Sequence, residues 1–166
     1  MVVGGGEVGN RKARKLLQAR AEVVVVSPEV KPELASMAAE VRRRPYRAGD
    51  LEGAFLAFAV TDAREVNAAV VREGRERSIP VNVADRPSEG DFALPSTLRR
   101  GQLQVAVSTG GASPTLARRI RTELEEVFGS EWAGIVEELS RARRNGRKSR
   151  EELEEVIKRC LSRLRG

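Results

Sequence analysis

Residues 2–17 read VVGGGEVGNRKARKLL, and this stretch decides the fold of the chain. Two valines lead into Gly4, Gly6 and Gly9, which have the spacing Gly-x-Gly-x-x-Gly. In this pattern the first glycine allows a tight turn, the second lets backbone approach a pyrophosphate, and the third lets a helix pack on a strand. Apolar residues then recur at helical spacing, namely Val8, Ala13, Leu16 and Leu17. The stretch predicts a strand, a phosphate-binding turn and a helix, and a glycine turn that serves packing alone is the alternative.

The first half of the chain continues this alternation of strands and helices. The apolar run EVVVV at 22–26 is typical of a strand buried on both faces of a parallel sheet. The pattern further predicts a helix after Pro32 (Leu34, Met37, Ala38, Val41), a short strand in RRRPYR at 42–47, a strand at 54–60, a helix at 63–75 and a strand at 79–85. Such short βαβ units predict an α/β fold with a Rossmann-like parallel sheet.

The pattern changes after Asp85. LQVAVS at 103–108 has the period-2 alternation of a half-buried strand, and FALPSTLRRG before it suggests an antiparallel pair or a domain-linking strand. Ser113 and Pro114 form a helix start, and Ser149 with Glu152 forms a capping box for the last helix. Apolar residues at helical spacing follow Pro114, namely Leu116, Ile120, Leu124 and Val127. We expect three regions: 1–91, a small segment 92–127, and a helical C-terminal tail 128–166.

Composition restricts the chemistry. No apolar run reaches the roughly 20 residues of a membrane span and no signal peptide opens the chain, so we expect a cytoplasmic protein. Histidine is absent and Cys160 is the single cysteine, so an acid or base must be a carboxylate, Lys, Tyr or this thiol. For the same reason we expect no protein metal site of thiolate or imidazole ligands. A net charge of +6 suits an anionic partner, but the 4% aromatic content offers few platforms for stacking nucleic-acid bases.

Candidate ligand contacts follow the predicted strands, because ligands of doubly wound sheets bind outside the carboxyl ends of the strands. Glu29 after the second strand is the candidate for the adenosine ribose, although an ordinary surface role is the alternative. No arginine follows it immediately, which favours NAD over NADP. Thr61, Asp62 and Asp85 follow the fourth and fifth strands.

Four segments together carry a family resemblance: VVGGGEVGNRKARKLL, AVTDAREVNAAV, VNVAD and GDFALPSTLRRGQLQVAVSTGGASPTLARRIRTELE. From residue 2 to about residue 127 they resemble the precorrin-2 dehydrogenase/sirohydrochlorin ferrochelatase family, the dehydrogenase half of sirohaem synthase. The resemblance implies an NAD-dependent oxidation of precorrin-2 to sirohydrochlorin in sirohaem (porphyrin) biosynthesis and, in some members, insertion of ferrous iron. It also implies a homodimer with the dimer contact in 92–127, and a tail at 128–166 that covers the tetrapyrrole; the short tail leaves chelatase activity open.

The resemblance also assigns site residues. It places the catalytic aspartate on Asp85, and cofactor contacts on Gly4, Gly6, Glu7, Val8, Gly9, Pro28, Glu29, Thr61 and Asp62. Independently of the family, oxidation of a reduced tetrapyrrole releases a proton, and without histidine a carboxylate is the natural acceptor. A loop-capping aspartate is the alternative for Asp85, and Asp91 is the second candidate for the catalytic role.

Precorrin-2 is a polyanion, so a cationic pocket would help to capture it. Candidate substrate contacts are the turn Ser108, Thr109 and Gly110 and the helix residue Arg118. The alternatives are a connecting turn for the first three residues and a solvated basic face for Arg118. Two other functions stay open at this point. One is a non-enzymatic NAD-sensing regulatory domain, and the other is nucleic-acid binding through the basic tail.

Overall fold

The computed structural model describes residues 1–145 and 150–162, which divide into two compact units, Met1–Ala93 and Leu94–Gly166. The first unit holds a five-stranded parallel sheet in the order β3-β2-β1-β4-β5 with helices between the strands. Its elements are β1 Val2–Gly5, α1 Glu7–Gln18, β2 Val24–Val30, α2 Pro32–Met37, β3 Glu40–Arg42, β4 Ala57–Ala59, α3 Arg64–Arg77, β5 Val81–Val83 and a 3₁₀ turn at Pro87–Glu89. The predicted Rossmann-like α/β fold is confirmed.

The first strand occupies the centre of the sheet. Val2 pairs with Val25 of β2 on one side and with Phe58 of β4 on the other, and all three side chains are fully buried. The chain therefore runs outward through β2 and β3, returns past β1, and continues through β4 and β5. This reversal of strand order makes a crevice between β1 and β4, where such sheets bind ligands.

Three predicted boundaries were wrong near the second strand. β2 continues to Val30, because residues 27–29 form a bulge between the pairs Val3–Val26 and Gly5–Val30, and a bulge tolerates a proline at 28. The helix after Pro32 ends at Met37, so Val41 lies in β3. β3 runs from Glu40 to Arg42 and so includes only the first residue of the predicted RRRPYR strand, as expected for a segment that contains a proline.

Glu73 of α3 holds the loop that connects β3 to β4. Its side chain is buried and accepts hydrogen bonds from the Tyr46 hydroxyl, from the Gly49 and Leu51 amides (3.0 and 3.3 Å), and from Arg77 Nε (2.8 Å). A buried carboxylate is tolerated only when it is paired and hydrogen-bonded in this way. Glu73 therefore anchors the loop to α3, and Asp50 within the loop accepts further hydrogen bonds from Arg44 and from the Arg47 amide.

The second unit combines a hairpin with helices. Its elements are β6 Ser96–Arg100, β7 Leu103–Val107, α4 Pro114–Val127, α5 Glu131–Asn145 and α6 Arg150–Ser162. β6 and β7 are antiparallel, as one of the two sequence interpretations predicted. Ser113 caps α4 by accepting a hydrogen bond from the Leu116 amide (3.1 Å). Ser149 of the predicted capping box lies outside the described residues. Within residues 1–145 and 150–162, the helices lack the length and apolar character that crossing a membrane requires.

A glycine-to-alanine pair tests the contact between α1 and β1. A Cβ at Gly9 would lie 2.2 Å from the Gly4 carbonyl oxygen, whereas a Cβ at Gly6 would meet no atom within 4 Å. We expect Gly9→Ala to lower the free energy of unfolding by about 1–3 kcal/mol, because α1 must move away from the sheet. Gly6→Ala should cost only roughly 0.5 kcal/mol, the preference for glycine at a helix start. Equal urea midpoints for the two variants would contradict this packing.

A second prediction concerns acid stability. Burial alone would raise the pKa of Glu73, but the hydrogen bonds from Tyr46, Gly49, Leu51 and Arg77 outweigh it and hold the pKa below its usual value. The carboxylate therefore stabilises the fold above its unfolded-state pKa of about 4.3, and this stabilisation is lost as the pH falls through the lower folded value. We expect Glu73→Gln to lower the free energy of unfolding at neutral pH by about 1–3 kcal/mol.

The same variant should lose less stability than the wild type on acidification, as measured by urea unfolding at successively lower pH. If the free energy of unfolding fell equally with pH in the two proteins, the Glu73 carboxylate would not be a source of the acid sensitivity.

Candidate active site

The glycine turn is held in place by backbone contacts. Gly4 has a φ of +124°, which side-chain-bearing residues rarely adopt, and a Cβ there would lie 2.7 Å from the Val60 carbonyl oxygen. A Cβ at Gly5 would lie 2.0 Å from the carbonyl oxygen of Glu29. Only at Gly6 does the turn face open space. The turn is thus clamped between β2 and β4 and leaves one open position for a ligand.

The start of α1 suits an anion. Gly6 is the N-cap of α1 and provides no side-chain hydrogen bond to the first helical amides. These amides carry the positive end of the helix dipole and need acceptors from elsewhere. Because Gly6, Glu7 and Val8 line a cleft, an anion in that cleft can provide them. The residues present therefore fit the pyrophosphate of a dinucleotide.

The cleft has a volume of about 790 Å³ and extends along the carboxyl ends of β1, β2 and β4. This size falls in the range of small-molecule and cofactor sites. Eight of the nine predicted cofactor contacts line it, namely Gly4, Gly6, Glu7, Val8, Pro28, Glu29, Thr61 and Asp62. Gly9 does not line it and lies against Gly4 under the turn.

Sequence reasoning missed a cation at this cleft. Lys31 lines the cleft near Glu29 and donates a hydrogen bond to Glu7. This contact lowers the pKa of the Glu7 carboxyl and raises the pKa of the Lys31 ammonium. Val30 directly follows Glu29, so the sequence showed no cation next to it. The bulge at the end of β2 brings Lys31 to the same wall of the cleft as Glu29.

Tyr46 is a second residue that the sequence did not reveal. It lines the cleft and donates its hydroxyl proton to Glu73. Burial raises the pKa of Tyr46, and the hydrogen bond to Glu73 raises it further. The single tyrosine of the chain therefore stays protonated and cannot act as a general base.

Asp85 lies in the loop that follows β5, beside the cleft rather than among its lining residues. Its Oδ1 accepts a hydrogen bond from Asn67 Nδ2 (3.0 Å), and its Oδ2 lies 3.9 Å from Arg64 Nε. The carboxylate remains 36% exposed, so it can reach a ligand. Asn67 also contacts Thr61, which lines the cleft. Asp85 is therefore connected to the cleft through Asn67.

Asp91 has a different position. Its Oδ2 accepts a hydrogen bond from the Val81 amide (2.8 Å) at the beginning of β5, whereas Asp85 follows the end of that strand. The two carboxylates thus lie at opposite ends of β5, Asp91 at its beginning and Asp85 after its carboxyl end. Because ligands bind at the carboxyl edge, Asp91 is a loop-capping aspartate rather than a second catalytic candidate.

The predicted substrate contacts lie in the second unit. Thr109 Oγ1 accepts a hydrogen bond from the Ser113 amide (3.0 Å) and donates one to its carbonyl oxygen (3.1 Å), and Ser108 Oγ accepts from the Gly110 amide (3.2 Å). Arg118 is exposed on α4. These contacts explain the conformation of the turn, and its role in binding a substrate stays a prediction.

No group of three or more His, Cys, Asp or Glu residues that could hold a metal ion occurs within 1–145 and 150–162. Cys160 of α6 is buried. A metal bound by the protein side chains of this part of the chain therefore has no evident site.

Comparisons with known proteins agree with this geometry. Residues 1–96 match the family described as "Putative NAD(P)-binding", and residues 100–126 match the one described as "Sirohaem biosynthesis protein central". A siroheme synthase of Methylobacillus flagellatus is 50% identical over 81% of this chain, and siroheme synthase 3 of Aeromonas hydrophila subsp. hydrophila is 42% identical over 86% of it. The aligned regions are only 30% and 33% of those two proteins.

A solved structure named "SirC, precorrin-2 dehydrogenase" superimposes with a TM-score of 0.76 at 28% identity, covering 95% of this chain and 81% of that one. The chain therefore belongs to the NAD(P)-binding family of sirohaem biosynthesis, the precorrin-2 dehydrogenase/sirohydrochlorin ferrochelatase family that its sequence resembles.

Proposed function

We propose that this chain oxidises precorrin-2 to sirohydrochlorin with NAD, as a step of sirohaem biosynthesis. The names of the siroheme synthases and of the precorrin-2 dehydrogenase that it resembles support this activity. The observation that carries the proposal is the cleft at the glycine turn, with an exposed carboxylate fixed beside it. A cofactor site and a proton acceptor are what a dehydrogenation of this kind requires.

The cleft residues bind and orient the cofactor. The uncapped amides of α1 would hold the pyrophosphate at Gly6, and Glu29 near the end of β2 would accept hydrogen bonds from the adenosine ribose. Thr61 and Asp62 line the cleft beyond β4 and would contact the other half of the dinucleotide. When bound, NAD supplies the acceptor for a hydride.

Asp85 takes the proton that the substrate loses. The chain has no histidine, Tyr46 donates its proton to Glu73, and Cys160 is buried. Glu7 raises the pKa of Lys31, the lysine at the cleft, which stays protonated, so we assign the base to a carboxylate. Asp85 follows the carboxyl end of β5 and is exposed, whereas Asp91 accepts a hydrogen bond from the Val81 amide at the other end of that strand. Asp85 is therefore the catalytic residue of the proposal.

The second unit contributes substrate binding and assembly. We assign the substrate carboxylates to the turn Ser108–Gly110 and to Arg118, whose amides, hydroxyls and guanidinium can all donate to carboxylates. Iron insertion is the further activity of the proposal. It needs no protein metal cluster, because the nitrogens of the macrocycle themselves bind the iron.

Residues 92–127 form the dimer contact in this proposal. Ala117 of α4 is buried, whereas Leu116, Ile120 and Val127 of the same helix are 51%, 38% and 46% exposed. These three side chains form one apolar stripe at helical spacing. A second copy of the chain would cover this stripe, so we propose a homodimer.

Substitution of Asp85 tests the proposed reaction. With precorrin-2 and NAD under anaerobic conditions, we expect Asp85→Ala to lower the rate of NADH formation by roughly 10²–10⁴-fold, the usual contribution of a general base. Its affinity for NAD, measured by calorimetry, should stay close to that of the wild type, because Asp85 does not line the cleft.

Asp91→Ala is the matched control, since it removes a carboxylate from the other end of β5. It should lower the melting temperature and leave the rate within about two-fold, as expected for a structural hydrogen bond. Equal activity of the wild type and Asp85→Ala would refute the catalytic assignment, and NAD binding without any NADH formation would favour a regulatory domain.

Iron insertion is tested by adding ferrous iron to the same reactions and recording the absorption spectrum of the product.

A charge on the apolar stripe tests the dimer. We expect Ile120→Glu to convert a dimer to a monomer in light scattering after size exclusion, because a carboxylate buried in an apolar interface costs several kcal/mol unless it is paired. Phe55→Glu is the control, since Phe55 is the most exposed large apolar side chain described in the first unit, at 90%. Dissociation by both variants, or a monomeric wild type, would contradict the assignment of the interface to α4.

A further inference from the structure

Asn67 is a buried amide that hydrogen-bonds to two different loops through both its oxygen and its nitrogen. It is the fourth residue of α3 and is 0% exposed. Its Oδ1 accepts from the Thr61 amide (3.1 Å), and its Nδ2 donates to the Thr61 carbonyl oxygen (2.9 Å) and to Asp85 Oδ1 (3.0 Å). The single proton of the Thr61 hydroxyl is shared between Asn67 Oδ1 (2.8 Å) and the Ala63 carbonyl oxygen (3.0 Å). An asparagine side chain offers two donors and two acceptor positions. Asn67 thus binds two neighbouring loops with a single rigid group.

The two loops follow adjacent strands. Thr61 comes after β4 and lines the cleft, and Asp85 comes after β5. α3 connects these strands, so its first turn lies at the carboxyl edge where both loops begin. The Asn67 amide therefore sets the position of the Asp85 carboxylate relative to the wall of the cleft.

The second oxygen of Asp85 faces a cation from the same helix. Arg64 Nε lies 3.9 Å from Asp85 Oδ2, and its Nη2 donates to Glu89, which also pairs with Arg86 (3.4 Å). Arg64 Nη1 is buried without a hydrogen-bond partner. Because Asn67 occupies Oδ1, Oδ2 is the oxygen that remains for a proton from a substrate, with the positive charge of Arg64 beside it.

We propose that Asn67 is a positioning residue for Asp85: its amide holds Oδ1 of the carboxylate and directs Oδ2 to the reaction at the cleft. This inference rests on the proposed function. A misplacement of a catalytic group by about 1 Å can cost a factor of roughly 10² in rate, so the hydrogen bond has a measurable role. A purely structural Asn67 would tie Thr61 in place and have no effect on the carboxylate.

The contact is tested first without any substrate. In wild-type protein, the side-chain amide NMR signals of Asn67 should shift as the Asp85 carboxylate is protonated in an acid titration. The shift should disappear in Asp85→Asn, in which nothing titrates at that position. Asn82 is the internal control, because its buried Nδ2 donates to the Phe92 carbonyl oxygen (2.7 Å) instead. An Asn67 signal that behaves like that of Asn82, or that still shifts in Asp85→Asn, would overturn the proposal.

Turnover then separates positioning from stability. We expect Asn67→Ser to lower kcat by roughly 10- to 100-fold with little change in the KM for NAD. Asn82→Ser removes an equally buried amide and should lower the melting temperature while leaving kcat within about two-fold. Equal kcat losses in the two variants would assign Asn67 a structural role only.

If the wild type forms no NADH, the proposed function fails, whereas the titration still decides whether Asn67 holds the carboxylate. If Asn67→Ser does not fold, the NMR titration of the wild type alone decides whether Asn67 Nδ2 contacts Asp85 Oδ1.

Discussion

The close approach of α1 to β1 is the constraint on which the first unit depends. Gly9 lies so near the Gly4 carbonyl that a single added carbon would be 2.2 Å from it, and Gly4 itself has a backbone conformation that favours glycine. This packing sets the start of α1 at the end of β1, with Gly6 facing open space. The proposed phosphate site is therefore a consequence of how helix and strand pack, and the central place of β1 in the sheet puts it at the crevice.

α3 organises the other side of the same unit. Near its beginning, Asn67 joins the loops after β4 and β5, and near its end Glu73 joins the loop between β3 and β4. Tyr46 belongs to that loop and forms part of the cleft wall. One helix thus fixes a wall of the cleft through a buried carboxylate and the Asp85 loop through a buried amide. Both groups are stable in the interior because their hydrogen bonds are filled.

The sequence was sufficient for features that depend on local patterns. Glycine spacing, apolar runs and helix starts predicted the α/β sheet, the turn and five residues of the cleft wall, namely Gly4, Gly6, Glu29, Thr61 and Asp62, whereas the family resemblance implied Glu7, Val8 and Pro28. The sequence was insufficient where residues far apart in the chain determine the local structure. The bulge at 27–29 comes from pairing with β1, so neither the end of β2 nor the place of Lys31 was evident. Asn67 could have been suspected, because it is a polar residue one turn before Val70 and Val71 on a buried helix face, but its two partners follow only from the packed sheet.

The central claim is that the glycine turn and Asp85 serve one bound dinucleotide. A crystal structure of the protein with NAD tests it most directly, through the positions of the pyrophosphate and of the nicotinamide ring. We expect a pyrophosphate on the amides at Gly6 and a nicotinamide ring that extends past Thr61 toward the Asp85 carboxylate. A dinucleotide bound away from Gly6, or a nicotinamide whose reactive face is out of reach of Asp85, would contradict it.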